Sequence, residues 1–364
     1  MSSSQTAPQK AHDRGQSLWL DNITRELLDD GTLARYIAEL SVTGLTSNPS
    51  IFDAAIGNGN AYDESIRRKA KDGMFGEDLF IELALEDLRR AADLFMPIFD
   101  STQQKDGWVS MEISPLLATD TQGSLAAAQH IHRKSARPNL FVKIPGTPES
   151  IPAIEEAIFA GIPVNVTLLF SCSQYMAAAE AYLRGIERRV QAGLNPQVAS
   201  VASLFVSRWD VAVSGKVPRD LENTLGLAVC GQTLAAWHDL LKSARWQRLA
   251  AAGAVPQRLL WASTGTKDPT ASDTLYVDAL VAPDTINTLP EKTLLAFADH
   301  GAVDNVMAVD GSAAQRTLDR FKAEGIDLNA LAKQLQLDGA QAFVKSWRQL
   351  LQRIADKGSA LSDK

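Results

Sequence analysis

A single lysine interrupts the apolar run NLFVKIPG, where Lys143 stands between Val142 and Ile144. Burial disfavours an ammonium group, and a neutral amine is what a Schiff-base nucleophile requires. Other short apolar runs also carry polar groups where aliphatic side chains are the norm. Asp21 closes LWLD, Glu112 lies within VSMEI, and Ser203 lies within ASLFV. Asn165 and Thr167 alternate in VNVTLLF, so an extended strand puts them on one face. Asn48 follows the run VTGLT within GLTSNPS. For Lys143 alone, a structural ion pair with a buried carboxylate is an equal alternative. An amine, two carboxylates, two amides and two hydroxyls near the ends of successive runs favour a reactive site over a set of isolated ion pairs.

Several other chemistries lack their residues. GNGNAY near Gly57 has no third glycine and follows no strand, so it is not a dinucleotide fingerprint, and no GxxxxGK[ST] loop occurs. The 5 histidines contain no HExxH pattern. His130 and His132 are two apart on a helical pattern and diverge, so no metal site is expected. Arg67, Arg68 and Lys69, like Arg188 and Arg189, lie in helical patterns and read as solvated faces.

The elements that must position these residues alternate along the chain. β-rich runs occupy residues 18–21, 42–46, 108–113, 139–144, 163–170, 198–206, 258–263 and 276–281. Helical periodicity occupies residues 27–40, 77–95, 174–192 and 225–249. Alternation of this kind implies parallel strands joined by crossover helices. Eight units spread over about 250 residues or more suggest an α/β (β/α)₈ TIM barrel with additional helices. An open doubly wound sheet has the same pattern and stays open at this point. The long connections after the second and sixth strands call for extra helices, and residues 327–357 form an amphipathic stretch that should fold back onto the body.

Composition bounds the rest. At 364 residues, 45% hydrophobic and 22% charged, the chain is expected to fold as one catalytic domain over residues 17–357. Residues 1–16 are polar and small and are expected to form a flexible tail, as are residues 358–364. The net charge of −7 argues against nucleic acid as a partner. No run approaches the roughly 18 apolar residues of a membrane span. With 2 cysteines, Cys172 and Cys230, there is no disulfide framework, and a cytoplasmic location is expected.

Five or six of these segments together resemble the transaldolase family. GLTSNPSIF (44–52) is similar to the family's T-[ST]-N-P-S signature, and LFVKIPGT (140–147) to the segment around its Schiff-base lysine. VSMEI, NVTLLFS and SLFVSR follow in the family's order, so the resemblance covers roughly residues 17–283. It implies an (α/β)₈ barrel and a metal-free, cofactor-free class I aldol mechanism. That mechanism moves a dihydroxyacetone unit between sugar phosphates of the pentose phosphate pathway.

By motif, the resemblance makes Lys143 the Schiff-base lysine and Asp21 the acid/base at the sugar C4 hydroxyl. Glu112 and Thr167 would hold the water that serves imine formation. Asn48, Asn165 and Ser203 would hold the three-carbon unit, and Arg208 the phosphate. The seventh run departs from the family, because WASTGTKDP offers Ser263 and then Lys267 where many relatives place a second arginine. Leu204 and Ser207 stand where relatives often have Pro and Gly. Phe205 stands where related fructose-6-phosphate aldolases tend to carry a tyrosine, which favours the transferase over that aldolase. A non-catalytic sugar-phosphate-binding barrel would keep Arg208 without needing Lys143, Asp21 and Glu112 together. The expected partners are sugar-phosphate substrates and no membrane; a monomer and a homodimer fit equally.

Overall fold

The structure, a computed structural model, describes residues 5–362. Eight parallel strands close into a barrel in chain order: β1 (Ser17–Asp21), β2 (Val42–Thr46), β3 (Val109–Glu112), β4 (Leu140–Pro145), β5 (Val164–Leu169), β6 (Ser200–Phe205), β7 (Arg258–Ala262) and β8 (Ile286–Leu289). Closure decides against the open sheet. The first seven strands lie within the runs expected for them, give or take a residue at an end.

The eighth does not. Residues 276–281 were expected to be a strand, but they belong to or flank the helix Leu275–Ala279. Tyr276, Val277 and Leu280 are buried at helical spacing, and Leu280 N–H donates to Tyr276 O at 3.0 Å. The true β8 is the four-residue run INTL, polar at two positions and closed by Pro290. Too short and too polar to stand out by periodicity, it is made a strand by pairing with β7 and β1.

Helix boundaries follow local chemistry. The expected helix 27–40 is two helices, Arg25–Asp29 and Thr32–Glu39, divided at Gly31 with φ +77°. The segment 225–249 likewise splits into Leu225–Lys242 and Ala244–Ala251. Ser243 ends the first, and its hydroxyl accepts from Trp246 N to cap the second. Extra helices do fill the connections after β2 and β6.

Both expected tails are corrected in part. The helix Ala7–Asp13 packs against the barrel with Ala7, Pro8 and Ala11 buried, and Gln16 donates to Leu280 O (2.7 Å) and Thr285 Oγ1 (2.9 Å). At the other end one helix runs from Leu328 to Ser362 and takes in residues 358–362. The outermost residues of both expected tails, 1–4 and 363–364, lie outside the described residues. No helix among the described residues is long and apolar enough to cross a membrane.

The amino-terminal end of the barrel is plugged. Trp108 stacks on Phe141 with centroids 4.1 Å apart, and Trp19 lies 6.2 Å from the same ring. Gly44 is required beneath Trp19, since a Cβ there would meet the indole and Trp108 O at 2.7 Å. Arg258 completes the floor, donating to Ser17 Oγ (2.7 Å) and to the carbonyls of Lys105, Asp284 and Thr285. Polar side chains inside the barrel therefore gather towards the opposite, carboxyl end.

The long helix Leu328–Ser362 crosses that end. Gln336 Nε2 donates to Gly146 O (3.0 Å) and Leu168 O (2.9 Å), just beyond and within the ends of β4 and β5. Trp347 packs edge-on against Phe80 (5.1 Å), which packs against Phe52 (5.3 Å). Arg353 pairs with Asp53, and Lys357 with Asp63 at 2.6 Å. The fold-back expected from amphipathicity is present.

Candidate active site

A cavity of about 210 Å³ opens at the carboxyl ends of the strands. Lys143, Asp21, Thr167, Ser203 and Phe205 face it from four strands, β4, β1, β5 and β6. Asn48, Arg208, Ser263 and Lys267 reach it from the segments that follow β2, β6 and β7. Two of the sequence-predicted residues, Glu112 and Asn165, do not line it; they lie one step behind its wall. Larger cavities exist elsewhere. One of about 610 Å³ beside the helix Cys172–Gln191 includes Cys172, Lys322 and Asp327 but no residue from a strand end.

Strand register builds a polar layer behind and along the cavity wall. Glu112 of β3 pairs with Lys143 of β4, which pairs with Asn165 of β5. Lys143 is 6% exposed; its Nζ donates to Ser47 O at 3.0 Å and lies 3.4 Å from Glu112 Oε2. Asn165 is spanned by its neighbours, donating to Ser110 Oγ (3.2 Å) and accepting from Ser203 Oγ (2.7 Å). Glu112 Oε1 and Thr167 Oγ1 are buried and make no hydrogen bond among the described residues. Two such oxygens beside an amine suit a polar guest.

Asp21 sits across the mouth from this layer. Thr46 Oγ1 donates to Asp21 Oδ1 at 2.8 Å and lies 2.7 Å from Thr288 Oγ1. Burial pushes the Asp21 carboxyl above the usual range, while Lys143, the Thr46 hydroxyl and Lys267 pull it back. Burial also raises Glu112; the amine of Lys143 opposes this and the charge of Asp21 adds to it.

Asn48 has a double position. Its Oδ1 caps the helix Pro49–Gly57, accepting from Ile51 N (3.2 Å) and Ser50 Oγ (2.6 Å). That leaves the amide N–H groups as what Asn48 can offer the cavity. Phe205 brings an aromatic wall with no hydroxyl, its ring 5.2 Å from Phe170.

At the rim, Arg208 is the second residue of the short helix Ser207–Val213, and Lys267 extends from an exposed loop. Among the described residues neither side chain makes a hydrogen bond or ion pair, although the charge of Lys267 is felt at Asp21. Ser263 holds φ +56°, uncommon for a non-glycine residue, and its Oγ lies 3.0 Å from Ser207 Oγ. This contact ties the Arg208 turn to the Lys267 loop. Two unpaired cations on one side and an amine with carboxylates on the other make a place for a phosphorylated carbonyl compound.

Sequence reasoning missed several contributors, four of which matter most to the shape and hydrogen bonding of the site. Thr46 lies inside the GLTSNPS run but was not singled out, and Thr288 lies on the strand that was misplaced. Phe343 and Ser346 line the cavity from the helix Leu328–Ser362. Nothing in an amphipathic pattern marks which of its residues will meet a cavity built by other segments. Among the described residues, no group of three or more His, Cys, Asp and Glu is placed to hold a metal ion.

Comparison with known proteins agrees over most of the chain. The family model described as "Transaldolase/Fructose-6-phosphate aldolase" matches residues 18–354. The chain is 43% identical over 361 residues to a protein named "Transaldolase" from Thermobifida fusca, covering 97% of this chain and 98% of that one. A "Transaldolase" from Saccharopolyspora erythraea is 43% identical over 353 residues, 95% of this chain and 96% of its own. Another from Thiobacillus denitrificans is 43% identical over 350 residues, 93% of this chain and 97% of its own.

Proposed function

Because the chain belongs to the transaldolase/fructose-6-phosphate aldolase family, we propose that Lys143 carries the covalent chemistry of a transaldolase, with Asp21 and Glu112 moving the protons. The enzyme transfers a dihydroxyacetone unit from sedoheptulose 7-phosphate or fructose 6-phosphate to glyceraldehyde 3-phosphate or erythrose 4-phosphate. These are reactions of the pentose phosphate pathway.

The Lys143 amine adds to the donor ketone at C2, and the carbinolamine loses water to give an imine. Glu112 serves that dehydration, with the Thr167 hydroxyl as its partner in holding a water; its 3.4 Å distance from the amine and the unpaired Thr167 hydroxyl support this reading. Asp21 then takes the proton of the C4 hydroxyl. The C3–C4 bond breaks, its electrons pass into the protonated imine to form an enamine, and the aldose phosphate leaves. Addition to the acceptor aldehyde runs the same steps in reverse. The Asn48 amide and the Ser203 hydroxyl suit the hydroxyls of the three-carbon unit, with Asn165 holding Ser203 from behind. Arg208, Lys267 and Ser263 suit the phosphate. The absence of a hydroxyl on Phe205 supports transfer over release of free dihydroxyacetone.

The observation that carries this reading is a buried lysine opening into a cavity whose rim holds two unpaired cations. Borohydride added with fructose 6-phosphate should attach the three-carbon or hexose unit to the peptide containing NLFVKIPG, as read by mass. Label on another lysine, or none, overturns the assignment.

A further inference from the structure

We propose that Thr288 of β8 is a positioning residue for Asp21, acting through Thr46 to keep the carboxylate ionised and ready to take a proton. This rests on the reading of Asp21 as the base of the cleavage step.

The argument is a count of hydrogens. Thr46 Oγ1 is within hydrogen-bond distance of both Asp21 Oδ1 (2.8 Å) and Thr288 Oγ1 (2.7 Å), but a hydroxyl has one hydrogen to give. An ionised carboxylate only accepts, so the Thr46 hydrogen goes to Asp21. Thr288 must then donate to Thr46. The result is a directed chain across three adjacent strands, Thr288 to Thr46 to Asp21, on β8, β2 and β1. Donation into Thr46 polarises its O–H and strengthens the bond to the carboxylate.

Burial makes the chain matter. Thr46 and Thr288 are each 3% exposed, so few other donors can reach the Thr46 hydroxyl. Thr264 Oγ1 donates to Thr288 O at 3.1 Å and fixes that part of β8. Other charges facing Asp21 come from Lys143 on β4, Glu112 on β3 and Lys267 after β7, while Arg208 shares the cavity. They act through space and set no direction on the Thr46 hydroxyl. Thr288 is the neighbour that does.

The test is the pH dependence of kcat for donor cleavage in single and double variants. Thr46→Val removes the direct bond and should move the acid limb up by about one to two pH units. Thr288→Val should move it up by roughly half a unit, with KM unchanged, and Thr288→Ser should restore the wild-type limb. In the Thr46→Val background, Thr288→Val should add no further shift. Thr288→Ala serves in place of Thr288→Val if the latter does not fold. An unmoved limb in Thr288→Val, or in Thr288→Ala where that variant replaces it, overturns the inference, as does a shift that persists without Thr46. Failure of the broader reading looks different: borohydride would not trap Lys143 in any of these proteins, or Asp21→Asn would keep the wild-type acid limb.

Discussion

Glu112 and Lys143 face each other in the register of β3 and β4, Oε2 3.4 Å from Nζ, with side chains 3% and 7% exposed. The contact leaves Glu112 Oε1 unpaired, so the carboxylate is only half committed to its partner. A purely structural buried pair is stable when its remaining lone pairs are satisfied. This one keeps an acceptor in reserve beside the amine, which supports the proposed reactive role over the bland ion pair that the sequence left open.

Glu112→Gln should slow imine formation by roughly 10²–10⁴-fold, the range for a positioned acid or base. Timed borohydride quenching of a single turnover would measure it. If the trapped imine accumulates at the wild-type rate, Glu112 has no part in dehydration.

Asp21→Asn should form the Schiff base but cleave C3–C4 about 10²–10⁴-fold more slowly. It should also change stability with a definite sign. Burial raises the carboxyl pKa in the folded protein, so between the unfolded and folded values the native state binds more protons than the unfolded one. Stability therefore falls as pH rises through that window, and an asparagine escapes the fall. The Tm of Asp21→Asn should exceed that of the wild type at pH 7. The gap should close as pH drops towards the ordinary carboxylate range near about 4. A difference that does not vary with pH would mean that burial of the charge is not its source.

Arg208→Ala should raise KM for phosphorylated donors by roughly 10- to 100-fold, the loss expected for charge-assisted hydrogen bonds, and barely affect weak turnover of free dihydroxyacetone. Lys267→Ala should act in the same direction but less, because an exposed loop ammonium is a mobile point charge. Steady-state kinetics on both donors decides. An unchanged KM in Lys267→Ala would make that lysine a solvated surface group.

Trp347→Ala should cost up to about 3–5 kcal/mol, since a fully buried ring packed edge-on against Phe80 is removed. Activity should fall with it, as Phe343 and Ser346 on the same helix lose their place at the cavity. Trp347→Phe should recover part of both. Full activity in a clearly destabilised Trp347→Ala protein would show that the helix does not shape the site.

The sequence made the barrel legible because seven of its strands are long or apolar enough to stand out from helical neighbours. The polar layer was legible for a related reason: Lys143, Glu112 and Asn165 are conspicuous in strands otherwise made for burial. β8 was not, since INTL has neither length nor alternation and becomes a strand only by pairing. Nor could sequence reveal that Asn48 would spend its carbonyl on a helix cap, or that Asn165 would stand behind Ser203 and away from the cavity. Those outcomes depend on who the neighbours are, and the neighbours come from distant segments.

Gln336 rests on two carbonyls, Gly146 O and Leu168 O, the second offered by a residue at φ +59° where the β5–β6 register slips. Such a seat exists only after β4, β5 and β6 have paired. The helix it receives then reaches back 300 residues to Asp53. Closing so long a loop adds only about 0.6 kcal/mol per doubling of length, but finding the contact is slow. Assembly of this protein should therefore run in two beats, with the strands first and the roof later. In a refolding experiment the far-ultraviolet signal should return ahead of catalysis. The lag between them would time the arrival of the roof.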